Sequence, residues 1–573
     1  MKKEAILHIP MSNYAHGIDT KHILFRLRSA REDLVSCRLY YGDRACRVTP
    51  VLFSNTDLKV VAQDEYFDYY EVILDSPYQR ICYYFELDDG QEKILYYSDL
   101  FHKNTVNDRS EYYQFPFNRR EDIADVPAWV KDAIIYNIFP DSFATSRREI
   151  SNKGLKLNYE GNVIRSKNGG TIQGITDNID YLLKLGINCI YINPFFVAGE
   201  YHKYDLIDYF HVDPCFGTDE EFKFLVDMFH NCNMKVIIDG VFNHCGWNFF
   251  AFLDVVEKGE ASQFKDWFYS LEFPVIKPDN MEDIPNYECF AYERLMPKMN
   301  TSNPEVIQYF CEVCSYWITK FGIDGWRLDV ASEVNDDFWR EFRKTAKMVK
   351  PDCFIIGEVW ETAQHWLMGD QFDSSMNYDF RKNCREFFAH GTIDAYGFDG
   401  RVTHMRMRYR KNLLYGQLNL LDSHDVSRFL SLCNGNLLRF KLAILFQMTF
   451  IGTPSIFYGD EQQITGMKEG EYRSPMRWDE ENEMFSFYQI AIMFRRKFKA
   501  LRRGDFRTLF AGKGNGLYAF ERFHEGEHLI IILNAGEADA EITVLMEDKI
   551  IIWQSGYQAP KLSGYGYVIA KSC

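Results

Sequence analysis

With 573 residues, the chain exceeds what one ordinary hydrophobic core accommodates, so several modules are expected, one of them large. A formal charge of −17 without a visible basic stripe excludes nucleic acid and anionic membrane as partners and favours a neutral ligand. No run of eighteen apolar residues occurs, and the opening MKKEAILHIPMSNYAHG is broken by His8, Pro10 and Asn13 before a signal-peptide core forms, which places the protein in the cytoplasm.

From residue 5 to about 100 the pattern is strand-like: HILFRLRS, CRLYYGD, DYYEVILD, then YYFELDDGQEKILYYS, whose Asp89-Gly90 step is a hairpin turn. These runs predict a β-sandwich over 1–124. The polar stretch FHKNTVNDRSEYYQFPFNRREDIADVP reads as the linker that follows. After Pro127, short apolar runs (DAIIYNIFP, NCIYINP, MKVIIDGVF, GWRLDV, CFIIGEV, PSIFYG) alternate with amphipathic helical stretches, and counting SSMNY and QLNLL gives eight strands. Eight parallel strands with crossover helices favour a closed (β/α)8 TIM barrel, an α/β fold, over 125–504. The interval 245–302, rich in aromatics, is too long for a loop and helix and reads as a small subdomain inserted after the third barrel strand. From about Asp505 the runs GLYAFERF, HLIIILNAG, ITVLM and YGYVIA predict an all-β sandwich over 505–573. The fourteen cysteines lack framework spacing and read as buried free thiols; Cys311 and Cys314 share a predicted helix with no second pair to complete a zinc site.

In such a barrel the reactive groups project from the carboxyl ends of the strands, and four apolar runs here end in acids: Asp239, Asp329, Glu358 and Asp425. Arg327 and Asp329 stand two apart on a strand, so both point into the barrel mouth while Leu328 faces the helices. A fixed guanidinium beside Asp329 would lower its pKa and keep it ionised as a nucleophile. Glu358, between FIIG and Val359-Trp360, is expected in a dry apolar setting that keeps it protonated as a general acid. One ionised and one protonated carboxyl is the pair that glycosidic cleavage uses. His244 and His424 lack metal-site spacing and read as hydrogen-bond donors.

The segments DGVFNH (239–244), GWRLDVASE (325–333), GEVW (357–360) and LLDSHD (420–425) resemble, in order and spacing, the four signature regions of the α-amylase family, glycoside hydrolase family 13. MPKMN (296–300) and GTPSIFYGDE (452–461) resemble two further regions, and MPKMN with the N-terminal sandwich resembles the cyclomaltodextrinase, neopullulanase and maltogenic amylase subgroup. The resemblance implies a retaining α-glucan hydrolase with Asp329 as nucleophile, Glu358 as acid/base and Asp425 holding hydroxyls of the −1 sugar. Arg327 would orient Asp329, His244 and His424 would donate hydrogen bonds, Asp239 would support the wall and Tyr204 would stack under the ring. Trp360 and Arg428 complete the expected substrate contacts. Region one reads Gly240 where Ala often follows the aspartate, and Ser332 stands where Asn is common in the subgroup, which leaves preferences beyond the scissile bond open. The loop FATSRREISNKGLKLNYEGN is poor in the clustered Asp and Asn that bind calcium in some relatives, and Asn243 alone makes no site, so no cofactor and no required metal is expected. The sandwich is similar to a carbohydrate-binding module that in this subgroup packs on a partner's barrel, which implies a homodimer, a narrowed cleft, and cyclodextrins and maltooligosaccharides as ligands. Transfer to a sugar hydroxyl would accompany hydrolysis. An oligosaccharide α-glucosidase is the alternative activity; a non-catalytic relative that has lost its acids is disfavoured, since this chain keeps all three.

Overall fold

The computed structural model describes residues 1–146, 166–280 and 283–572. The loop from which calcium binding was judged falls largely on 147–165 and lies outside the described residues.

The predicted eight-strand alternation forms the centre of the molecule. Barrel strands β1 (Ile135–Ile138), β2 (Cys189–Ile192), β3 (Lys235–Gly240), β4 (Gly325–Leu328), β5 (Phe354–Gly357), β6 (Ser374–Ser375), β7 (Leu418–Leu420) and β8 (Thr453–Phe457) are parallel in the order 6-5-4-3-2-1-8-7. A parallel bridge between Met376 and Leu418 joins the two ends, so the sheet closes. Most of the strands are largely apolar runs because both faces are covered, by helices outside and by packed side chains within, while the short β6 consists of two buried serines. Trp326 and Leu328 of β4 are fully buried; Trp326 packs towards Phe242 and Phe342, which leaves Arg327 on the opposite, inward side. Crossover helices begin where the sequence supplies caps, as at Thr218, whose hydroxyl and Glu221 form a reciprocal capping box on Asp219–Asn231.

Register sets the level of the site. Asp239 pairs with Arg327, Gly240 with Leu328, and Leu328 with Gly357. One residue further, Asp329 N–H donates to Gly240 O and Glu358 N–H to Leu328 O, both at 2.9 Å. Gly357 is required by close approach: a Cβ there would lie 2.3 Å from the ring of Phe372.

Two excursions roof the carboxyl mouth. The interval 245–302 contains the helix Phe250–Lys258 and the hairpin Cys289–Phe290/Glu293–Pro297. A second hairpin, Phe196–Ala198 with Leu206–Val212, follows β2 and was not anticipated; its turn carries His202 and Tyr204.

The N-terminal β-domain has nine strands. Ser54–Gln63, too polar to be read as a strand, pairs with Ser36–Asp43 through residues 54–58 and with Phe67–Asp75 through residues 59–63, linking the two layers. The stretch read as a linker contributes Tyr113–Phe115, which pairs with Ile81–Asp88, because its two aromatics are buried in the sandwich core. In the C-terminal antiparallel sheet, ITVLM is a helical turn, Thr543–Met546, rather than a strand, while Asp505–Ala511 and Lys549–Gln558 are additional strands. Thirteen cysteines of the described residues are free thiols, eight of them buried.

Candidate active site

At the carboxyl mouth of the barrel lies a cleft of about 730 Å³ lined by Asp329, Glu358 and Asp425, with Tyr204, His244 and Trp360 on its walls. Its organising group is Arg327, which is fully buried. Nη1 donates to Asp329 Oδ1 at 2.8 Å and reaches both oxygens of Asp239 at 3.1 Å. Nη2 lies 2.8 Å from Glu358 Oε1 and 3.9 Å from Asp425 Oδ2. One planar fork thus gathers four carboxylates from three strand ends and the loop after β7, a geometry that a point-like ammonium could not reproduce. Burying a guanidinium this deeply costs several kcal/mol of desolvation, offset only while its partners stay in place.

The flanking contacts fix the rest. Glu358 Oε2 accepts from the Val330 N–H at 2.9 Å; that amide is aimed by a left-handed backbone turn at Val330 (φ 45°, ψ 43°), an uncommon conformation for a β-branched residue. Asn193 Nδ2 lies 2.9 Å from His424 Nδ1, and His424 Nε2 lies 2.9 Å from Asp425 Oδ2 and within hydrogen-bond reach of the Tyr204 hydroxyl. The Tyr204 and His424 rings stack at 5.5 Å. His244 stacks on Phe290 and meets the Tyr204 carbonyl through Nε2 at 3.1 Å. Trp360, 43% exposed, stacks on Tyr378 at 4.0 Å and so presents a flat apolar surface to the cleft.

Electrostatics departs from the simple division expected from sequence, in which Arg327 would depress Asp329 alone. Burial and the nearby Glu358 charge push Asp329 well above the usual carboxylate range, despite Arg327. Burial likewise raises Glu358, with Arg327 opposing. Nor is Glu358 in a purely apolar setting, since it contacts both Arg327 and the Val330 amide. The guanidinium is divided among several acids, so it cannot fully compensate any one. The two form a coupled pair that holds a proton above the pH where an isolated carboxyl would release it. Burial would also raise Asp425, but the adjacent His424 imidazole and Arg327 outweigh it and hold that carboxyl well below its ordinary value. Burial lowers His244 to about 3 and His202 to about 4, so both are neutral donors or acceptors near pH 7.

Arg428 does not reach the cleft. It is fully buried, and its guanidinium is spent on Asp460 Oδ1 (2.9 Å) and on the carbonyls of Tyr458 (2.7 Å) and Tyr472 (3.0 Å). The expectation that it binds substrate is therefore corrected: it ties the loop after β7 to the loop after β8. Among the described residues no group of three or more His, Cys, Asp or Glu is arranged to hold a metal ion. The Asn243 side-chain oxygen is taken by the Lys298 ammonium at 2.7 Å, which also meets Glu333 at 2.7 Å.

Several site residues escaped the sequence reading. Tyr191 donates to Asp239, and Asn193 holds His424; they stand two apart at the end of β2, the same spacing that singled out Arg327 and Asp329, so the signal was present. Arg473, whose Nε donates to the His424 carbonyl at 2.8 Å and whose Nη2 lies 3.4 Å from Asp425, sits in a loop with no periodicity to mark it. Phe290 and Met296, which reach the cleft from the inserted segment, carry no local signal either.

Residues 137–499 match the alpha-amylase catalytic domain, and residues 1–119 the alpha-amylase N-terminal Ig-like domain. The chain is 41% identical over 540 residues to Neopullulanase 2 of Thermoactinomyces vulgaris, covering 93% of this chain and 91% of that protein. It is 35% identical over 557 residues to the Intracellular maltogenic amylase of Bacillus subtilis, with 95% and 93% covered. A solved structure named Cyclomaltodextrinase superposes with a TM-score of 0.91 at 36% identity, covering 100% of both chains.

Proposed function

Because the chain belongs to the α-amylase family of glycoside hydrolases, we propose that it hydrolyses α-1,4-glucosidic bonds of cyclodextrins, maltooligosaccharides and pullulan with retention of configuration. The observation that carries this reading is the seating of Asp329 and Glu358 on the two terminal nitrogens of one guanidinium, each at 2.8 Å. Two carboxyls held this close, flanking the scissile bond, suit direct attack on the anomeric carbon from the face opposite the departing oxygen rather than the wider gap that admits a water. Asp329 attacks the anomeric carbon while Glu358 protonates the departing glycosidic oxygen; Glu358, now ionised, then takes a proton from the water that releases the sugar. A sugar hydroxyl in place of that water gives transfer. Asp425, kept ionised, accepts hydrogen bonds from hydroxyls of the distorted ring, with Tyr204, His244 and His424 beside it and Trp360 stacking on the adjoining sugar. Asp239 takes no part in bond cleavage and anchors Arg327.

The test is a product analysis on β-cyclodextrin, maltotriose, pullulan, soluble starch and maltose. Faster cleavage of cyclodextrin and short chains than of starch polymer is expected. Preferred attack on polymer would defeat the narrow-cleft reading, and release of single glucose units throughout would favour the α-glucosidase alternative.

The reading extends to three further properties. No metal is required, since the Lys298 ammonium occupies the Asn243 oxygen; activity is expected to survive exhaustive EDTA treatment unchanged, and its loss with recovery on adding calcium would reverse the assignment. The protein is a homodimer in which the N-terminal domain covers a partner's cleft, to be checked by sedimentation. It works in the cytoplasm: among the described residues no helix is long and apolar enough to cross a membrane, a similar protein is named as intracellular, and cell fractionation would locate it.

A further inference from the structure

A cavity of about 230 Å³ lies where the N-terminal domain, the barrel and the C-terminal sheet meet, and it shares no lining residue with the catalytic cleft. The N-terminal sheet supplies one row of its wall: Arg26 stands opposite Glu71 and Glu71 opposite Lys59 on three adjacent strands, so the three side chains rise from one face. Arg406 and Lys411 face them from the barrel, and Asp505, Phe506 and Arg507 from the C-terminal sheet. The acids are already used. Glu71 is taken by Arg26 at 2.6 Å and Asp505 by Lys411 at 2.7 Å, while Arg507 turns to Glu521 at 2.5 Å. Lys59 and Arg406 form no ion pair with any described residue.

Arg406 is only 5% exposed, a depth at which a cation without a carboxylate is costly unless its N–H groups are spent. Arg495 and Arg522 are buried at least as deeply and also lack a carboxylate, but each gives its guanidinium to three backbone carbonyls. Arg406 makes a single hydrogen bond, from Nη1 to Phe506 O at 3.2 Å, and its Nε has no partner. Its guanidinium carbon lies over the Phe506 ring at 4.4 Å, a contact that leaves the in-plane donors unspent. Asp399, an acid of the same helix, is occupied by the Thr508 and Tyr518 hydroxyls. A buried planar fork with free donors, a cavity beside it and a second unpaired cation together suit a phosphate group, whose oxygens take several charge-assisted hydrogen bonds at once.

We propose that this cavity at the domain junction binds a phosphate group, free or carried by a small sugar, with Arg406 and Lys59 as the residues that hold it. Since its walls come from all three domains, the bound anion belongs to the assembled fold alone and stabilises it by mass action. The catalytic cleft is not involved.

The experiment titrates the full chain with inorganic phosphate and, separately, with glucose 6-phosphate by calorimetry at constant ionic strength set with sodium chloride, and follows thermal unfolding over the same concentrations. Saturable binding of one phosphate per chain is expected, with a melting temperature that rises as the site fills. Arg406→Gln and Lys59→Gln should each weaken that binding by about tenfold or more, the loss of one charge-assisted contact, and remove the thermal shift, while kcat/KM on β-cyclodextrin in the absence of phosphate stays unchanged in Lys59→Gln. The tighter of the two probes identifies the source of the phosphate group. Absence of saturable binding by both probes would overturn the inference, as would binding that neither variant weakens. If Arg406→Gln does not fold, Lys59→Gln, an exposed residue outside any ion pair, decides alone.

Discussion

Asp329→Asn and Glu358→Gln are each expected to lower kcat/KM on β-cyclodextrin and maltotriose by about 10⁴-fold or more, in the range seen when a member of a tightly coupled catalytic unit is removed. Melting temperatures should be unchanged or higher. The physical reason lies in the arrangement itself: Asp329 and Glu358 are buried, mutually repelling, and served by a guanidinium they share with Asp239 and Asp425. Making either neutral removes repulsion while Arg327 keeps its other partners. The two variants are also expected to separate by leaving group. A glucosyl fluoride leaves without a proton, so Glu358→Gln should still form the covalent intermediate from it, whereas Asp329→Asn should not. The same coupling predicts a bell-shaped pH profile of kcat/KM for the unaltered enzyme. Activity falls on the acid side as the pair takes up a second proton and on the alkaline side as it loses its last. Full activity in either variant would remove the assignment, and a single-limbed pH profile would remove the shared-proton account.

The second large effect is expected at Arg327. Arg327→Met leaves buried carboxylates without their cation, a change that costs about 3–5 kcal/mol for breaking a buried pair; the barrel's denaturation midpoint should drop accordingly and activity should be lost. Arg327→Lys restores charge but not the two-sided fork, since one ammonium cannot meet Asp329 and Glu358 from separate nitrogens. It should recover much of the lost stability and little of the activity. In the residual activity both limbs of the pH profile should move upward, because a weaker cation favours the protonated form of each acid. Stability of Arg327→Met equal to that of the unaltered chain would show that the guanidinium does not hold the cluster together.

Much of this was written in the sequence. Six apolar runs are local patterns that became barrel strands because a strand covered on both faces needs little but apolar residues of the right length, while Ser374–Ser375 and Leu418–Leu420 complete the closed sheet with polar residues among them. The two-residue spacing of Arg327 and Asp329 determined that they share a side. Glu358 stands one residue beyond β5, at the strand end where the apolar run placed it, whereas Asp425 lies in the loop after β7, five residues beyond Leu420. Where the reading failed, a distant partner was deciding. Ser54–Gln63 is polar yet strand-forming because neighbours on both sides complete its ladder. Arg428 carries the same charge as Arg327 but is consumed by Asp460 and two carbonyls, which no spacing along the chain foretells.

What the sequence by itself determined was the inventory and its alternation: which carboxylates exist, that Asp239, Asp329 and Glu358 stand at strand ends, and that a guanidinium stands beside one of them. What only the tertiary structure decided was how that guanidinium is divided. A pKa depends on every charge within several ångströms and on how much water is excluded, and those neighbours arrive from separate strand ends and from loops far apart in the chain. The sequence could name the two acids of the pair; only the closed barrel brought them to opposite nitrogens of one arginine and bound their protons together.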